Sequence, residues 1–214
     1  MKRIIAAALA IAALSLQSCT FVRFNGDGSG LNGSRSMMSA SGVETIKTFE
    51  LPSFKKVTVQ VHGDIVISQS GGASSARVTF AENLMEYLRF DVEGDELIIK
   101  MDDSNKYRYS DMDIFLETPD LNAVTLQGSG DIEITNLVTD TFAVTIQGAG
   151  DVDVDHIECG RLDAVIQGAG DIEITGKASS AGLTIQGAGD IDVKNLVCDD
   201  ITSSVQGAGA IERK

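Results

Sequence analysis

Hydrophobic and polar residues alternate along most of the second half of the chain. From Val124 to Ile134, valine, leucine and isoleucine alternate with threonine, glutamine, aspartate and glutamate, except at Gly128-Ser129-Gly130. A two-residue period is typical of a strand with one buried face, whereas a helix has a period of about 3.6 residues. The two glycines supply the backbone freedom for a corner. The pattern therefore predicts two short strands joined by a corner.

This stretch recurs at a nearly constant interval and so defines a repeat. The glutamine before each Gly-x-Gly lies 19 or 20 residues after the previous one. A degenerate upstream copy, Val57 to Ile67, carries Val61 and His62 where the other copies have glycine and then serine or alanine. Fixed periods of this length are typical of stacked coils that bury a continuous hydrophobic column. We therefore predict an all-β fold, a single-stranded parallel β-helix (solenoid) with about 20 residues per coil, regular over residues 121–214.

Residues 43–120 have a less regular pattern. Several short strand-like segments are present, and Glu93-Gly94-Asp95-Glu96 predicts a hairpin turn. Asp131 lies 67 residues after Asp64, the equivalent residue of the degenerate copy, which leaves room for about three coils and an insertion. We therefore predict that this half continues the same solenoid, with enlarged loops, a hairpin and an N-terminal cap.

The N-terminus has the pattern of an export signal. Lys2 and Arg3 precede an apolar run over residues 4–16, which is too short to be a stable membrane anchor, and Cys19 follows soon after it. This resembles a bacterial lipoprotein signal, in which Cys19 is lipidated and becomes the mature N-terminus. The alternative is an ordinary secretory peptide with an incidental cysteine.

Three segments follow from these patterns: a lipoprotein signal peptide over residues 1–18, a flexible tether over 19–42 that is rich in glycine and serine, and a β-helical domain over 43–214. The lipid on Cys19 would make the membrane a partner. We therefore predict a cell-envelope protein, an outer-membrane lipoprotein on either the periplasmic or the surface face.

Composition narrows the function. The chain has 17 Lys and Arg against 31 Asp and Glu, a formal net charge of −14, which argues against a nucleic-acid partner. Two histidines nearly exclude a multi-histidine metal centre. The sequence contains no nucleophile-elbow, zinc-protease or phosphate-loop motif. These features predict a protein that is not an enzyme and needs no cofactor.

Acidic residues occupy two equivalent positions in four successive repeats. In a stack they would form two neighbouring columns with a spacing of about 4.8 Å along each column. Like charges this close repel, so the columns must be solvated, partly protonated or bridged by cations. The alternatives are a screened surface in which the aspartate after the glycine also caps a corner amide, a calcium site, and a face for a binding partner. The eight residues are Asp131, Glu133, Asp151, Asp153, Asp171, Glu173, Asp190 and Asp192.

The repeated glutamines predict a further column. Stacked side-chain amides hydrogen-bond to one another along the axis and fix the register, although the same ladder could bind a sugar. Recognition of a sugar by aromatic stacking has little support, because the chain has no tryptophan and its three tyrosines lie in the irregular half. We therefore interpret the glutamines as a structural ladder, and His62 and His156 as loop residues. The ladder consists of Gln127, Gln147, Gln167, Gln186 and Gln206.

Three motifs together resemble a known family. They are Phe-Lys-Lys-Val at residues 54–57, Gly-Asp-Glu-Leu-Ile-Ile at 94–99, and the repeated Gly-Ser/Ala-Gly-Asp-Ile. With the lipoprotein leader, they are similar to the head GIN domain of putative auto-transporter adhesins, over about residues 46–211. The resemblance implies a β-helical protein of the cell envelope with an adhesive or structural role, and it implies no catalytic residues.

Three functions are compatible with these features. An envelope-anchored adhesin or structural scaffold is favoured, with an unidentified polysaccharide or protein as its partner. A polysaccharide-cleaving enzyme is an alternative, since paired carboxylates can act as acid and base. Catalysis needs two carboxyl groups in different environments, however, and here the same pair recurs four times. A calcium-dependent binding module is the third possibility.

Overall fold

The structure, a computed structural model, describes residues 35–214. The fold of these residues is all-β, with a single 3₁₀ turn at Met85–Tyr87 and no α-helix within the described range. No helical segment of residues 35–214 has the length and apolarity needed to span a bilayer. The strands are β1 (Met37–Ser39), β2 (Glu44–Glu50), β3 (Lys56–Val59), β4 (Asp64–Gln69), β5 (Ser75–Ala81), β6 (Leu88–Glu93), β7 (Glu96–Met101), β8 (Lys106–Arg108), β9 (Met112–Thr118), β10 (Ala123–Leu126), β11 (Ile132–Thr135), β12 (Val138–Ile146), β13 (Val152–Ile166), β14 (Ile172–Ile185), β15 (Ile191–Asp192), β16 (Leu196–Val197), β17 (Asp200–Val205) and β18 (Ile211–Glu212).

Equivalent strands of successive repeats pair in parallel and in register. Val124 of β10 pairs with Val144 of β12, and Ile132 of β11 pairs with Val152 of β13. The same parallel pairing joins β13 to β14, β14 to β17, and β15 to β18. One step is 19 residues, and the shorter coil is accommodated by a register shift in β13 between Val154 and Ile157. The repeat period in the sequence therefore equals the pairing offset in the sheet.

The degenerate copy lies directly beside the first regular repeat. Val57 of β3 pairs with Val124, and Ile65 of β4 pairs with Ile132. The three intervening coils predicted from the chain length are therefore wrong. Instead, the insertion crosses to the far side of the degenerate copy, where β7 pairs in parallel with β3 and β9 with β4.

The N-terminal half departs from a parallel solenoid. The β6–β7 hairpin turns at the predicted Gly94-Asp95, and β5 lies antiparallel between β2 and β9. Sixteen strands thus form one mixed sheet that curls into a half-barrel. The rings of Phe49 on β2 and Phe90 on β6, at opposite ends of the strand order, lie 4.9 Å apart between centroids. The predicted all-β class is therefore confirmed, but the single-stranded parallel β-helix over residues 43–214 is not, because antiparallel strands in the N-terminal half make the sheet mixed.

Part of the predicted tether is a strand. Within the described residues 35–42, β1 pairs in parallel with β8, as Met37 with Lys106 and Ser39 with Arg108. The backbone pairing continues where Ala40 donates to the carbonyl of Arg108, at 2.9 Å. Because the backbone of this segment is hydrogen-bonded, the structure begins before residue 43.

Valine, leucine and isoleucine side chains from the degenerate copy and the first four regular repeats fill the interior. Ile146, Ile166 and Ile185 occupy equivalent positions in three successive repeats and are fully buried. Phe54, Phe80 and Phe142 are the largest fully buried side chains. Burying one such side chain contributes about 1.5–3 kcal/mol, so stacking is the main source of stability for these coils.

The second glycine of each of the first four regular corners is required by both conformation and space. Gly130, Gly150, Gly170 and Gly189 have φ between 136° and 149°, which disfavours other residues. A Cβ atom on any of them would lie 1.9–2.1 Å from the carbonyl oxygen of the equivalent glycine in the preceding repeat. The corners therefore stack backbone on backbone.

Candidate functional site

The aspartate after each corner, hereafter a corner aspartate, binds the backbone of the next repeat. Oδ1 of Asp131 accepts the N–H of Asp151 at 3.1 Å, and Oδ1 of Asp151 accepts the N–H of Asp171 at 2.8 Å. In the next two coils, Oδ1 of Asp171 accepts the N–H of Asp190 at 2.7 Å, and Oδ1 of Asp190 accepts the N–H of Ala210 at 2.6 Å. Each corner aspartate thus caps an amide of the following coil, which explains why charged residues tolerate this close spacing.

Asp151→Ala should lower the free energy of unfolding by about 1–2 kcal/mol, because it leaves the Asp171 amide without its acceptor. Asp151→Asn keeps an acceptor oxygen and removes a charge, so its loss should be smaller. Urea unfolding at pH 7 measures both. Equal stability of the alanine and asparagine variants would show that this hydrogen bond contributes nothing.

The acidic residues two positions further on, hereafter the strand acids, lie at equivalent strand positions. Glu133 pairs with Asp153, Asp153 with Glu173, and Glu173 with Asp192. Burial, together with the charges of Glu173 and other neighbouring carboxylates, raises the pKa of Asp153 above its ordinary value. Asp192 differs, since its carboxylate lies 2.8 Å from the Lys194 ammonium and their hydrogen bond lowers the pKa of Asp192. The column is therefore electrostatically strained at Asp153 and relieved at Asp192.

Asp153→Asn should stabilise the protein at pH 7. A raised folded-state pKa means that the ionised carboxylate opposes folding, and solvent screening limits the expected gain to about 0.2–1 kcal/mol. The gain should shrink as the pH falls through about 4 and disappear by about pH 3, where the wild-type carboxyl is protonated in both states. Urea titrations at both pH values test this, with the exposed Asp199→Asn as a control of equal charge change. A loss of stability at pH 7 would contradict the sign.

The corner aspartates and strand acids of the last three acidic repeats, from Asp151 to Asp192, border a groove of about 340 Å³, which Glu212 also lines. Carboxylates from three successive repeats face it, at Asp151, Asp171 and Asp190. Among residues 35–214, however, no three His, Cys, Asp or Glu side chains are arranged to hold a metal ion. The groove is therefore an extended acidic surface of the repeat stack.

The glutamine side chains form a hydrogen-bonded series. It starts at Gln60 of the degenerate copy, whose Nε2 donates to Oε1 of Gln127 at 2.8 Å. The next three bonds lead to Gln147, Gln167 and Gln186 at 3.0, 3.3 and 3.4 Å. Gln206 makes no such bond to a described residue. Because each amide lies over the next, the ladder extends one coil further upstream than the sequence analysis recognised.

The structure brings together residues that the sequence left apart. His62 Nδ1 donates to the backbone carbonyl of Ser129 at 2.8 Å, and the backbone N–H of His62 donates to the hydroxyl of Tyr109 at 3.2 Å. Tyr109 in turn packs edge-on against Phe80, with centroids 4.9 Å apart. His62 occupies the position that Ser129 and the alanines occupy in the regular repeats. This substitution in the degenerate copy was the sequence feature that could have indicated the site.

The remaining candidates lie elsewhere. His156 lies within β13, at the register shift between Val154 and Ile157, where its φ is 60° and its N–H donates to Oγ1 of Thr175 at 3.0 Å. The prediction of a loop residue is therefore wrong for His156. Cys19, the predicted lipidation site, lies outside the described residues, as does the signal peptide.

Comparison with known families agrees with this geometry. The family model described as "Putative auto-transporter adhesin, head GIN domain" matches residues 53–213. The chain belongs to this family. The matched region of the head GIN domain includes all the repeats, both acidic sets and the amide ladder. No curated protein sequence matches the chain.

Solved structures share the fold of this head GIN domain. A putative adhesin from Bacteroides fragilis has a TM-score of 0.69 at 22% identity, covering 83% of this chain and 100% of that one. A putative lipid binding protein from Parabacteroides distasonis has a TM-score of 0.59 at 18% identity. A putative adhesin from the same organism has a TM-score of 0.54 at 19% identity. Each of these two matches covers 84% of this chain and 100% of the other. At these identities, the likeness establishes the fold alone.

Proposed function

We propose that this head GIN protein is a non-catalytic, adhesin-like lipoprotein of the outer membrane, and that its repeats act as a rigid parallel solenoid that displays an acidic face. The observation that carries the proposal is the equivalent register of the strand acids, Glu133, Asp153, Glu173 and Asp192. Equivalent residues at regular spacing form a continuous surface, which suits a multivalent partner. Family membership supports an adhesive role in the cell envelope.

The same regularity weighs against the polysaccharide-cleaving alternative. An acid–base pair needs one carboxyl group with a raised pKa beside one that stays ionised. Here the same pair recurs in successive coils, and Oδ1 of its corner member Asp151 already accepts the backbone N–H of Asp171, so that oxygen caps the coil corner. The corner aspartates serve the coil corners, and Glu133, Asp153 and Glu173 are left to face a partner, whereas Asp192 is paired with Lys194.

Anchoring is tested by fractionation of cells. Cys19→Ala should move the protein from the detergent-extracted membrane fraction to the soluble fraction, because the lipid would be the anchor that remains after the leader is cleaved. Ser18→Ala, which keeps the cysteine, serves as the control. Membrane association that survives Cys19→Ala would contradict the lipoprotein proposal.

Binding by the acidic face is tested with the unlipidated Cys19→Ala chain. Immobilised protein is screened against envelope and host polysaccharides and a cationic protein, and both retention and reducing-end release are scored. Asp153→Asn and Glu173→Gln should weaken retention, and the double variant should weaken it further. The distant Glu82→Gln should leave retention unchanged. Chelator-sensitive retention would favour the calcium-dependent alternative. If reducing ends are released, and the release is lost on amidation of only one pair, either Asp151 with Asp153 or Asp171 with Glu173, the enzyme would be favoured.

A further inference from the structure

A second recessed surface surrounds His62, hereafter the His62 cleft. Its volume is about 400 Å³, within the roughly 300–1,000 Å³ typical of small-molecule sites. No carboxylate from residues 35–214 lines it, although the chain has 31 acidic residues. The side chains that give it its chemistry are Gln60, His62, Tyr107, Arg108, Tyr109 and Ser129. The cleft is therefore chemically unlike the acidic groove.

The cleft offers hydrogen-bonding groups that the protein does not use. His62 donates from Nδ1 to a backbone carbonyl, so its Nε2 is left without a partner among the described residues. Gln60 uses Nε2 to begin the amide ladder, which leaves its Oε1 without a donor from residues 35–214. The Ser129 hydroxyl adds another group that can donate or accept. Three separate positions can thus receive the hydroxyl groups of a ligand.

Two aromatic rings in the cleft are held in place by contacts outside it. The Tyr107 hydroxyl bonds to Asp102, and it lies 2.9 Å from the hydroxyl of Ser104. Burial opposes ionisation of Asp102, but hydrogen bonds from Ser104 and Tyr107 outweigh it, and its pKa lies below the ordinary value. Tyr109 is fixed by its contact with Phe80 and its hydrogen bond from His62. A ligand therefore meets preorganised rings.

The charge in the cleft comes from Arg108. Its guanidinium makes no ion pair with any residue in the described range, and its strand, β8, is held by pairing with β1. An adjoining groove, which shares His62 with the cleft, is lined by four carboxylates, at Glu44, Asp64, Asp111 and Asp113. An anionic group would therefore be drawn to Arg108 and repelled from that groove, which fixes the direction of a bound molecule.

We propose that the His62 cleft binds a saccharide that carries a carboxylate, such as a uronic acid unit. The carboxylate would pair with Arg108 in a bidentate manner, the sugar ring would lie against Tyr107, and its hydroxyls would meet Gln60, His62 and Ser129. This inference deepens the proposed adhesive function, because it names a ligand class, and it uses a surface separate from the strand acids.

Calorimetric titration of the Cys19→Ala chain tests the proposal with two matched probes, tetragalacturonate and its fully methyl-esterified form. The acid should bind at least tenfold more tightly than the ester. Arg108→Gln should remove this preference, and Tyr107→Ala should weaken both probes at least threefold. Lys177→Gln, an equal charge change at an exposed site outside the cleft, should change neither. Circular dichroism confirms that each variant is folded.

Absence of binding at millimolar tetragalacturonate would overturn the proposal. Equal affinity for the two probes, or acid binding that persists in Arg108→Gln, would also overturn it. None of these outcomes affects the acidic face, whose test uses variants at positions 153 and 173 and different ligands. Failure of the cleft and failure of the proposed function are therefore distinguishable.

Discussion

Gly170→Ala should abolish cooperative folding of the repeats. The added Cβ would lie 2.0 Å from the carbonyl oxygen of Gly150, well inside van der Waals contact, and the φ of 149° is itself unfavourable for alanine. The obstacle is backbone in a stacked coil, so neither layer can give way without breaking the pairing of β13 with β14. We expect a loss of more than about 4 kcal/mol, seen as a low urea midpoint or as insoluble protein.

Two other glycines separate the causes of this effect. Gly94 has a φ of 67° but open space around its Cβ position, so Gly94→Ala should lose about 1 kcal/mol from conformation alone. Gly72 has neither a positive φ nor a close neighbour, and Gly72→Ala should be neutral. If all three variants unfolded at the same urea concentration, close corner stacking would not limit stability.

Phe80→Ala should lower the free energy of unfolding by about 3–5 kcal/mol, because the ring, on β5, is fully buried in the core of the N-terminal half. The ring also supports Tyr109, so the variant should loosen one wall of the His62 cleft as well. Urea unfolding gives the change in stability, and the tetragalacturonate titration gives the change in the cleft.

Phe115→Ala is the matched control. Phe115 lies on β9, partly exposed on the outer face, where its ring contacts Arg77 with the guanidinium carbon 5.3 Å from the centroid. Its removal should cost no more than about 1 kcal/mol. Similar losses for both variants would mean that β5 does not seal a core at Phe80.

The repeats could be predicted because their information is local. Alternation within Val124–Ile134 specifies the buried face, and identical repeats leave parallel, in-register pairing as the arrangement that buries every copy. The glutamine and aspartate positions followed from that register. The hydrogen bond that Asp131 accepts from the next coil could be predicted only as an amide cap, since the identity of the donor depends on how the corners stack.

The N-terminal half depends on contacts that no local pattern specifies. β7 and β9 pair with the edges of β3 and β4 that β10 and β11 leave free. The sequence does not show which edge is free, and the chain length alone suggested extra coils between the degenerate copy and the first regular repeat. The His62 cleft was missed for the same reason. Tyr107 and Tyr109 reach His62 through an insertion of more than 40 residues, and only the substitution at position 62 marked the place.

The placement of the degenerate copy has a consequence for the order of folding. Contacts between regular repeats join residues about 20 positions apart, whereas Gln60 meets Gln127 across 67 positions. Closing the longer loop has a higher entropic cost and delays the pairing. We expect the regular repeats to zip together first, from one coil to its neighbour. The His62 cleft would be completed last, when β3 and β4 join the edge formed by β10 and β11.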